Sequence, residues 1–358
     1  MHTEGEFRHL VRCKFLTKPL IEQIFAEADL MLRFLNFRND PDICDYRNRV
    51  RREFQDKGII IASDFFEESL RTRWSHETAA YRLGAEVIST ENAAKFSSAA
   101  KGESLEHGIR VISGSDNSVC RYADLIIMRH FLEDAAKKAM KVSGVPIINA
   151  GDGIGEHPTQ ALLDLFTIYK EFGPTDNFSI AMVGDLLNGR TIHSLAYLLS
   201  KFPNVKMYLV SDPQFAIKDD LKQYLLRHNV WFAEKTDASD FRKVVKKVNV
   251  LYMTRVQKNR FDLNNPQQLE HFRKIRGLYI LDRELADEMI DGSIFMHPMP
   301  IESDSDEFPP EIRPEADDHP KARFFKQASY GVPIRMAVIK ILLENWGFIE
   351  RIKYKQAA

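Results

Sequence analysis

The sequence predicts an α/β fold made of two doubly wound, parallel-sheet domains with the active site in the cleft between them. Short apolar runs rich in β-branched residues recur along the chain. They are nearly continuous in apolarity, as strands buried on both faces are. Longer stretches with helical spacing separate them, which implies right-handed crossovers and parallel pairing. The length of 358 residues suffices for two cores.

The predicted strands are, in order, Gly58–Ser63, Leu125–Arg129, Val145–Ala150, Ser179–Asp185, Lys206–Asp212, Asn249–Arg255, Leu278–Asp282 and Ser293–His297. Helices fill the intervals. Ser69 reads as a helix cap and Gly84 as the stop of the same helix. Pro158 suits a first helical position, Ala161, Leu162, Leu165, Phe166 and Tyr169 keep the helical period, and Gly173-Pro174 ends it. From Pro333, residues Ile334, Ala337, Val338, Ile341 and Leu342 give one buried helical face. The acidic, proline-rich stretch Glu302–Asp318 reads as a solvated loop. The domain boundary falls in or just after the helix that follows His157, with one domain over residues 1–165 plus 331–358 and the other over 166–330.

Composition narrows the function classes. A formal net charge of -1 lacks the basic excess of a nucleic-acid binder. Cys13, Cys44 and Cys120 lie far apart with no metal-ligand spacing, which reads as three reduced thiols of a cytoplasmic protein. No apolar run approaches the ~20 residues that span a bilayer. The segment Met1–Arg12 lacks the apolar region of a signal peptide.

Ligands of open parallel sheets bind beyond the carboxyl ends of the strands. Six of the predicted strands end on polar groups: Asp64 through Arg73, Arg129-His130, Gly151 through Gln160, Asp185 through Thr191, Arg255-Val256-Gln257 and His297 through Pro300. Several arginines gathered there suit a doubly anionic substrate pair. In Ser69-Leu70-Arg71-Thr72-Arg73, a helix start with two hydroxyls and a guanidinium forms a phosphate cradle, or else a capped helix with solvated arginines. His157 at a helix start is suited to donate to a carbonyl oxygen, or else to cap the helix, and Gln160 is suited to hold an amide NH2. Gly151–Gly155 does not match the dinucleotide glycine pattern and reads as a turn.

Together FFEESLRTR, KGES, IIMRH, NAGDGIGEHPTQALLDLFTI, AMVGDLLNGRTIHSL, LYMTRVQKNRF, HPMP and HPKARFFKQASYG resemble the aspartate/ornithine carbamoyltransferase family, over about Gly58 to Arg335. The resemblance implies carbamoyl transfer from carbamoyl phosphate to an amino acid, expected to be aspartate, as in pyrimidine biosynthesis. It implies a carbamoyl-phosphate domain completed by the last helix, an aspartate domain, and homotrimers with shared active sites. By the same resemblance the phosphate meets Ser69, the Leu70 backbone, Arg71, Thr72 and Arg129. The carbamoyl oxygen meets Thr72, Arg129 and His157. The NH2 meets Gln160 and the carbonyls of Met299 and Pro300. Arg190, Arg255 and Gln257 take the aspartate carboxylates. Ser97 and Lys101 reach a neighbouring subunit's site, and Glu67 with Arg190 and Arg260 holds domain closure. No metal and no organic cofactor is implied.

The chain departs from the family pattern at Leu70, usually threonine, at Phe131, usually proline, and at Ile301, usually arginine, with a longer acidic loop beyond. Arg255 favours aspartate over ornithine, because a cationic side chain would be repelled there. The competing readings are a different amino-acid acceptor, a non-catalytic relative acting as scaffold or regulator, and a dinucleotide oxidoreductase.

Overall fold

The computed structural model describes residues 7–37, 39–115, 118–258, 261–303 and 309–354. The chain divides into two compact units, Met1–Leu162 with Tyr330–Ala358, and Leu163–Ser329. The first begins with α1 (Lys18–Asn36), α2 (Pro41–Asp56), β1 (Ile60–Phe65), α3 (Leu70–Leu83) and β2 (Glu86–Glu91). It continues through α4 (Ala93–Phe96), α5 (Leu105–Ser113), β3 (Leu125–His130), α6 (Ala135–Val142) and β4 (Ile147–Asp152). Helix α7 (Pro158–Phe172) starts in the first unit and continues in the second. There follow β5 (Ser179–Val183), α8 (Arg190–Leu199), β6 (Lys206–Val210), α9 (Asp219–Arg227), β7 (Trp231–Lys235) and α10 (Ala238–Val245). Then come β8 (Val250–Met253), α11 (Pro266–Leu278), α12 (Arg283–Asp287), β9 (Ile294–Met296) and α13 (Phe324–Ser329). The last helix, α14 (Gly331–Asn345), belongs to the first unit.

Both sheets are parallel throughout. Strand order is β2-β1-β3-β4 in the first unit and β7-β6-β5-β8-β9 in the second. In each sheet the winding reverses once, between β1 and β3 and between β5 and β8. Such switch points open a crevice at the strands' carboxyl ends. At the second of them, Gly184 has φ +119, and a Cβ there would lie 2.3 Å from Thr254 O. Only glycine lets the ends of β5 and β8 come this close.

The cores follow from the continuous apolar runs. In the first unit Ile126, Met128 and Ile147 pack with Ala135, Ala136 and Ala139 of α6. In the second, Val183, Leu251, Met253 and Phe295 pack with Val244, Leu285 and Phe324. Each buried Val, Leu, Ile, Met or Phe among these stabilises by about 1.5–3 kcal/mol before the entropy of ordering is set against it, and each alanine by less. Helix α3 ends at Gly84, where φ is +102 and a Cβ would lie 2.8 Å from Arg51 O. Helix α7 starts on Pro158, and Gly173 N–H closes it on Tyr169 O at 2.8 Å.

Four readings of the sequence need correction. Leu278–Asp282 is not a strand: Leu278 ends α11, and Leu281 makes a single parallel bridge to Ile312. Strands β2 and β7 were absent from the predicted set. They are edge strands with mixed, partly exposed residues, so they lack the continuous apolarity of a central strand. Helix α14 buries nearly its whole circumference rather than one face, including Lys340, which pairs with Glu27 at 3.2 Å and Glu344 at 2.8 Å. The stretch after Pro300 is not simply solvated, because Glu302 and Glu311 are both turned in on cations.

Candidate active site

In the first unit the predicted residues follow the carboxyl ends of the strands: Ser69 to Thr72 after β1, Arg129 near the end of β3, and His157 with Gln160 after β4. Strand β1 delivers the chain to Phe66, whose N–H donates to Arg129 O at 2.8 Å. The loop start is thereby tied to the end of β3. Arg129 is buried, and its Nη2 donates to Glu67 Oε1 at 2.5 Å. A carboxylate therefore sits on a guanidinium predicted to hold phosphate. Glu67, predicted to act in domain closure, is thus an Arg129 partner within its own unit; Arg260 lies outside the described residues.

Ser69 occupies the cap position of α3, but its hydroxyl makes no capping bond. That leaves the hydroxyl and the helix start available to an anion. Leu70 is largely exposed, so the side chain that departs from the family pattern packs on little; its backbone opens α3. Arg71 is exposed and Thr72 is buried. Arg73, on the same turn, is committed elsewhere: it pairs with Glu77 at 3.0 Å and Glu91 at 2.5 Å.

His157 is buried at the start of α7, and its carbonyl accepts from Gln160 N at 3.0 Å and Ala161 N at 3.1 Å. Gln160 is half-buried, one turn on. Gly151 and Asp152 end β4, so the turn read from the sequence over Gly151–Gly155 starts only at Gly153, and Gly155 N–H closes it on Asp152 O at 2.8 Å. Phe131 is exposed and stacks on His130 at 4.4 Å between ring centroids. Burial pushes the His130 imidazole below its ordinary value. Ser97 donates to Ala93 O at 2.5 Å, and Lys101 ends a short 3-10 turn, exposed. These two lie past β2, with the exposed Phe96 beside them.

In the second unit the predicted residues follow the carboxyl ends of three strands: Arg190 after β5, Arg255 and Gln257 after β8, and Met299 and Pro300 after β9. Thr254 N–H and hydroxyl both donate to Val183 O, at 2.9 and 2.8 Å, and tie the two strand ends together. Arg190 opens α8 just after β5. Past β8, Val256 is buried among Phe215, Phe272 and Ile275, while its neighbours Arg255 and Gln257 are half-buried. Val256 thus takes the core side of this segment, and the guanidinium and the amide on either side of it are left partly open to solvent. Arg255 Nη1 donates to Glu302 Oε1 at 3.2 Å, and Glu302 also lies 3.7 Å from Lys258 Nζ and 3.4 Å from Arg276 Nη1. Ile301 packs on the apolar core instead of presenting a cation.

Met299 sits at φ 54, with its N–H donating to His297 Nδ1 at 2.8 Å. Behind it lies Glu311, which sequence reasoning missed. Burial opposes its ionisation, yet His297 and Arg276 hold its carboxyl below the ordinary range. Arg276 was missed too. An acid-rich stretch reads as solvated when its cations stand elsewhere in the sequence.

The comparisons with known proteins agree in direction. The family model of the aspartate/ornithine carbamoyltransferase carbamoyl-P binding domain matches residues 8–170, and that of the Asp/Orn binding domain matches 176–342. The chloroplastic aspartate carbamoyltransferase of Arabidopsis thaliana is 48% identical over 81% of this chain and 69% of its own. The catalytic subunit of Methanocaldococcus jannaschii aspartate transcarbamoylase is 44% identical, with TM-score 0.78 over 94% of this chain and 98% of that one. Aspartate transcarbamoylase from Trypanosoma cruzi, solved with N-(phosphonacetyl)-L-aspartic acid, gives TM-score 0.79 at 31% identity over 93% and 95%. The cytoplasmic placement read from the sequence is overturned here. Relatives at this level of identity include chloroplast enzymes, so reduced thiols and the polar Met1–Arg12 segment do not fix a compartment.

Proposed function

Because the chain belongs to the aspartate/ornithine carbamoyltransferase family, we propose that it transfers the carbamoyl group of carbamoyl phosphate to the amine of L-aspartate, giving N-carbamoyl-L-aspartate and phosphate. The observation that carries this reading is the placement of arginines at the switch point of each sheet: Arg129 at the end of β3, and Arg190 and Arg255 beyond β5 and β8. Each is where a parallel sheet presents its ligand.

In the first unit, Ser69, the Leu70 backbone, Arg71, Thr72 and Arg129 hold the phosphate. Glu67 keeps the Arg129 guanidinium oriented until the anion arrives. Thr72, Arg129 and His157 donate to the carbamoyl oxygen, and Gln160 holds the NH2 with the carbonyls of Met299 and Pro300. In the second unit, Arg190, Arg255 and Gln257 grip the two carboxylates of aspartate. A cationic acceptor such as ornithine would meet Arg255 and Lys258, both half-exposed or exposed.

The chemistry needs little else from the protein. The neutral amine attacks the carbonyl carbon, a C–N bond forms, and charge develops on the oxygen, where preset donors stabilise it. The C–O bond to phosphate then breaks. The departing phosphate is basic and takes the amine proton. Holding two small anions in register lowers the barrier by on the order of several kcal/mol.

The working assembly is a homotrimer in which Ser97 and Lys101 serve a neighbouring chain's site. Leu70 and Trp74 on one face of α3, and Phe96 beside Lys101, are large exposed apolar side chains on the first unit, as a buried contact between copies requires. A colorimetric assay for carbamoylated product, run with carbamoyl phosphate against a panel of amino acids, tests the reading. Aspartate is the expected best acceptor. Efficient carbamoylation of another amine with aspartate ignored removes the acceptor assignment, and failure to bind carbamoyl phosphate removes the enzyme reading.

A further inference from the structure

We propose that Arg276 is a positioning residue that couples the His297–Pro300 turn to Arg255 through two carboxylates, Glu311 and Glu302. The proposal rests on the assignment of Met299, Pro300 and Arg255 to substrate given above.

The turn end of the bridge is set by His297. Its N–H donates to Gln327 Oε1 at 3.0 Å, and Gln327 Nε2 donates to Asp164 Oδ1 at 2.6 Å. The backbone entering the turn is therefore anchored from behind. The ring does a second job. Nδ1 accepts from Met299 N–H, so a neutral imidazole must carry its proton on Nε2. Nε2 stands 2.8 Å from Glu311 Oε1, at an oblique angle rather than in line. A carboxylate at that distance favours the Nε2–H form, and with it the bond that holds Met299 at positive φ.

The acceptor end is set by Glu302. Its Oε1 takes one edge of the Arg255 guanidinium, Nη1, at 3.2 Å. A planar fork fixed at one edge presents its other edge in a defined direction.

Arg276 joins the two ends. Its side chain is 3% exposed, with Nη1 at 3.4 Å from Glu302 Oε2 and Nη2 at 3.7 Å from Glu311 Oε2. Nη2 also donates to Pro309 O at 2.7 Å, which fixes the guanidinium in place. Two carboxylates turned inward need a cation, and Arg276 is the group that reaches both. The 3.4 and 3.7 Å separations are ion-pair distances, so charge rather than a directional bond carries most of the coupling. Glu302 follows Ile301, where the family usually has arginine. The cation here comes from α11 instead of from the turn itself.

The test is steady-state kinetics on the full-length protein, with Glu311→Gln, Glu302→Gln, Arg276→Met, Arg276→Lys and the combinations of each glutamine variant with Arg276→Met. Carbamoyl-aspartate formation by the unaltered chain decides the functional reading; the ratios between variants decide the bridge. Glu311→Gln should lower kcat about tenfold and leave the aspartate KM within about twofold, because it acts on the turn. Glu302→Gln should do the reverse, raising the aspartate KM about tenfold with kcat nearly unchanged. Arg276→Met should show both effects, and Arg276→Lys should restore most of each by keeping the charge. In the Arg276→Met background, either glutamine substitution should cost less than about twofold more. Fully multiplicative effects would overturn the bridge, as would a fall in the aspartate KM in Glu302→Gln, which would make Glu302 a competitor of substrate. Should Arg276→Met fail to fold, the Glu311→Gln/Glu302→Gln double variant decides. Its two effects should fall short of their product if the carboxylates communicate, and equal the product if they do not.

Discussion

Replacing Arg255 by alanine should weaken aspartate far more than carbamoyl phosphate. The side chain is about one-third exposed (35%), so its grip on a carboxylate is partly screened by solvent. A charge-assisted bond is worth about 1.5–3 kcal/mol, and screening places this one toward the lower end, near 1.5–2. That converts to roughly a 10- to 30-fold rise in the aspartate KM. The fold should be spared. Glu302 loses one partner but keeps Lys258 at 3.7 Å and Arg276 at 3.4 Å, so no buried carboxylate is orphaned. Initial rates are measured across aspartate at saturating carbamoyl phosphate, and then the converse. Unfolding midpoints are taken in parallel. An aspartate KM that moves less than about threefold refutes the assignment of Arg255 to the acceptor, as does an equal rise for carbamoyl phosphate.

Three further outcomes are expected. Burial pushes the Asp64 carboxyl from 3.8 up to about 6, so between those values the folded chain holds a proton that the unfolded chain has released. Stability therefore falls as pH rises through that window and stays lower above it, by at most about 3 kcal/mol. Asp64→Asn should raise the melting temperature at pH 8 and have little effect at pH 4, and an equal gain at both would show that the carboxyl is not the cause. Gly184→Ala places a Cβ 2.3 Å from Thr254 O at a positive φ, and should cost about 2–4 kcal/mol by denaturant unfolding; a wild-type midpoint contradicts the close approach of β5 and β8. Lys101→Gln and Arg71→Gln should each be nearly inactive, and under the proposed shared sites a mixture of the two, after subunit exchange, should regain part of the activity. Absence of recovery despite demonstrated subunit exchange would place each site within one chain.

How far the sequence was readable depended on burial. Strand β3, Leu-Ile-Ile-Met-Arg-His, is buried at every residue, so its apolarity announced it. Strand β2, Glu-Val-Ile-Ser-Thr-Glu, lies at an edge with four of its six residues exposed, and its composition says nothing of pairing. Leu278–Asp282 misled in the opposite sense. Tyr279 and Leu281 are buried, yet burial alone does not make a strand, and the chain there leaves a helix and makes a single bridge to Ile312. Polar residues at the strand ends could be found because parallel sheets bind ligands there. Their partners could not. Glu302 and Glu311 sit in an acidic stretch that reads as solvated, and the cations that hold them, Arg255, Lys258 and Arg276, come from β8 onward and from α11. Charge pairing over such sequence distances is a property of the fold, with no local signature. Arg71 and Arg73 make the same point in miniature. Two arginines two residues apart read alike, and only the structure shows Arg73 committed to Glu77 and Glu91.

The central claim is tested most directly by mixing the purified protein with carbamoyl phosphate and L-aspartate and following both products. Carbamoyl phosphate supplies one carbamoyl group and one phosphate, so N-carbamoyl-L-aspartate and phosphate should appear in equal amounts. Both should be abolished by Arg129→Ala, which removes the buried guanidinium at the end of β3. Phosphate released without carbamoyl-aspartate, or carbamoyl-aspartate formed undiminished by the Arg129→Ala protein, would contradict the account.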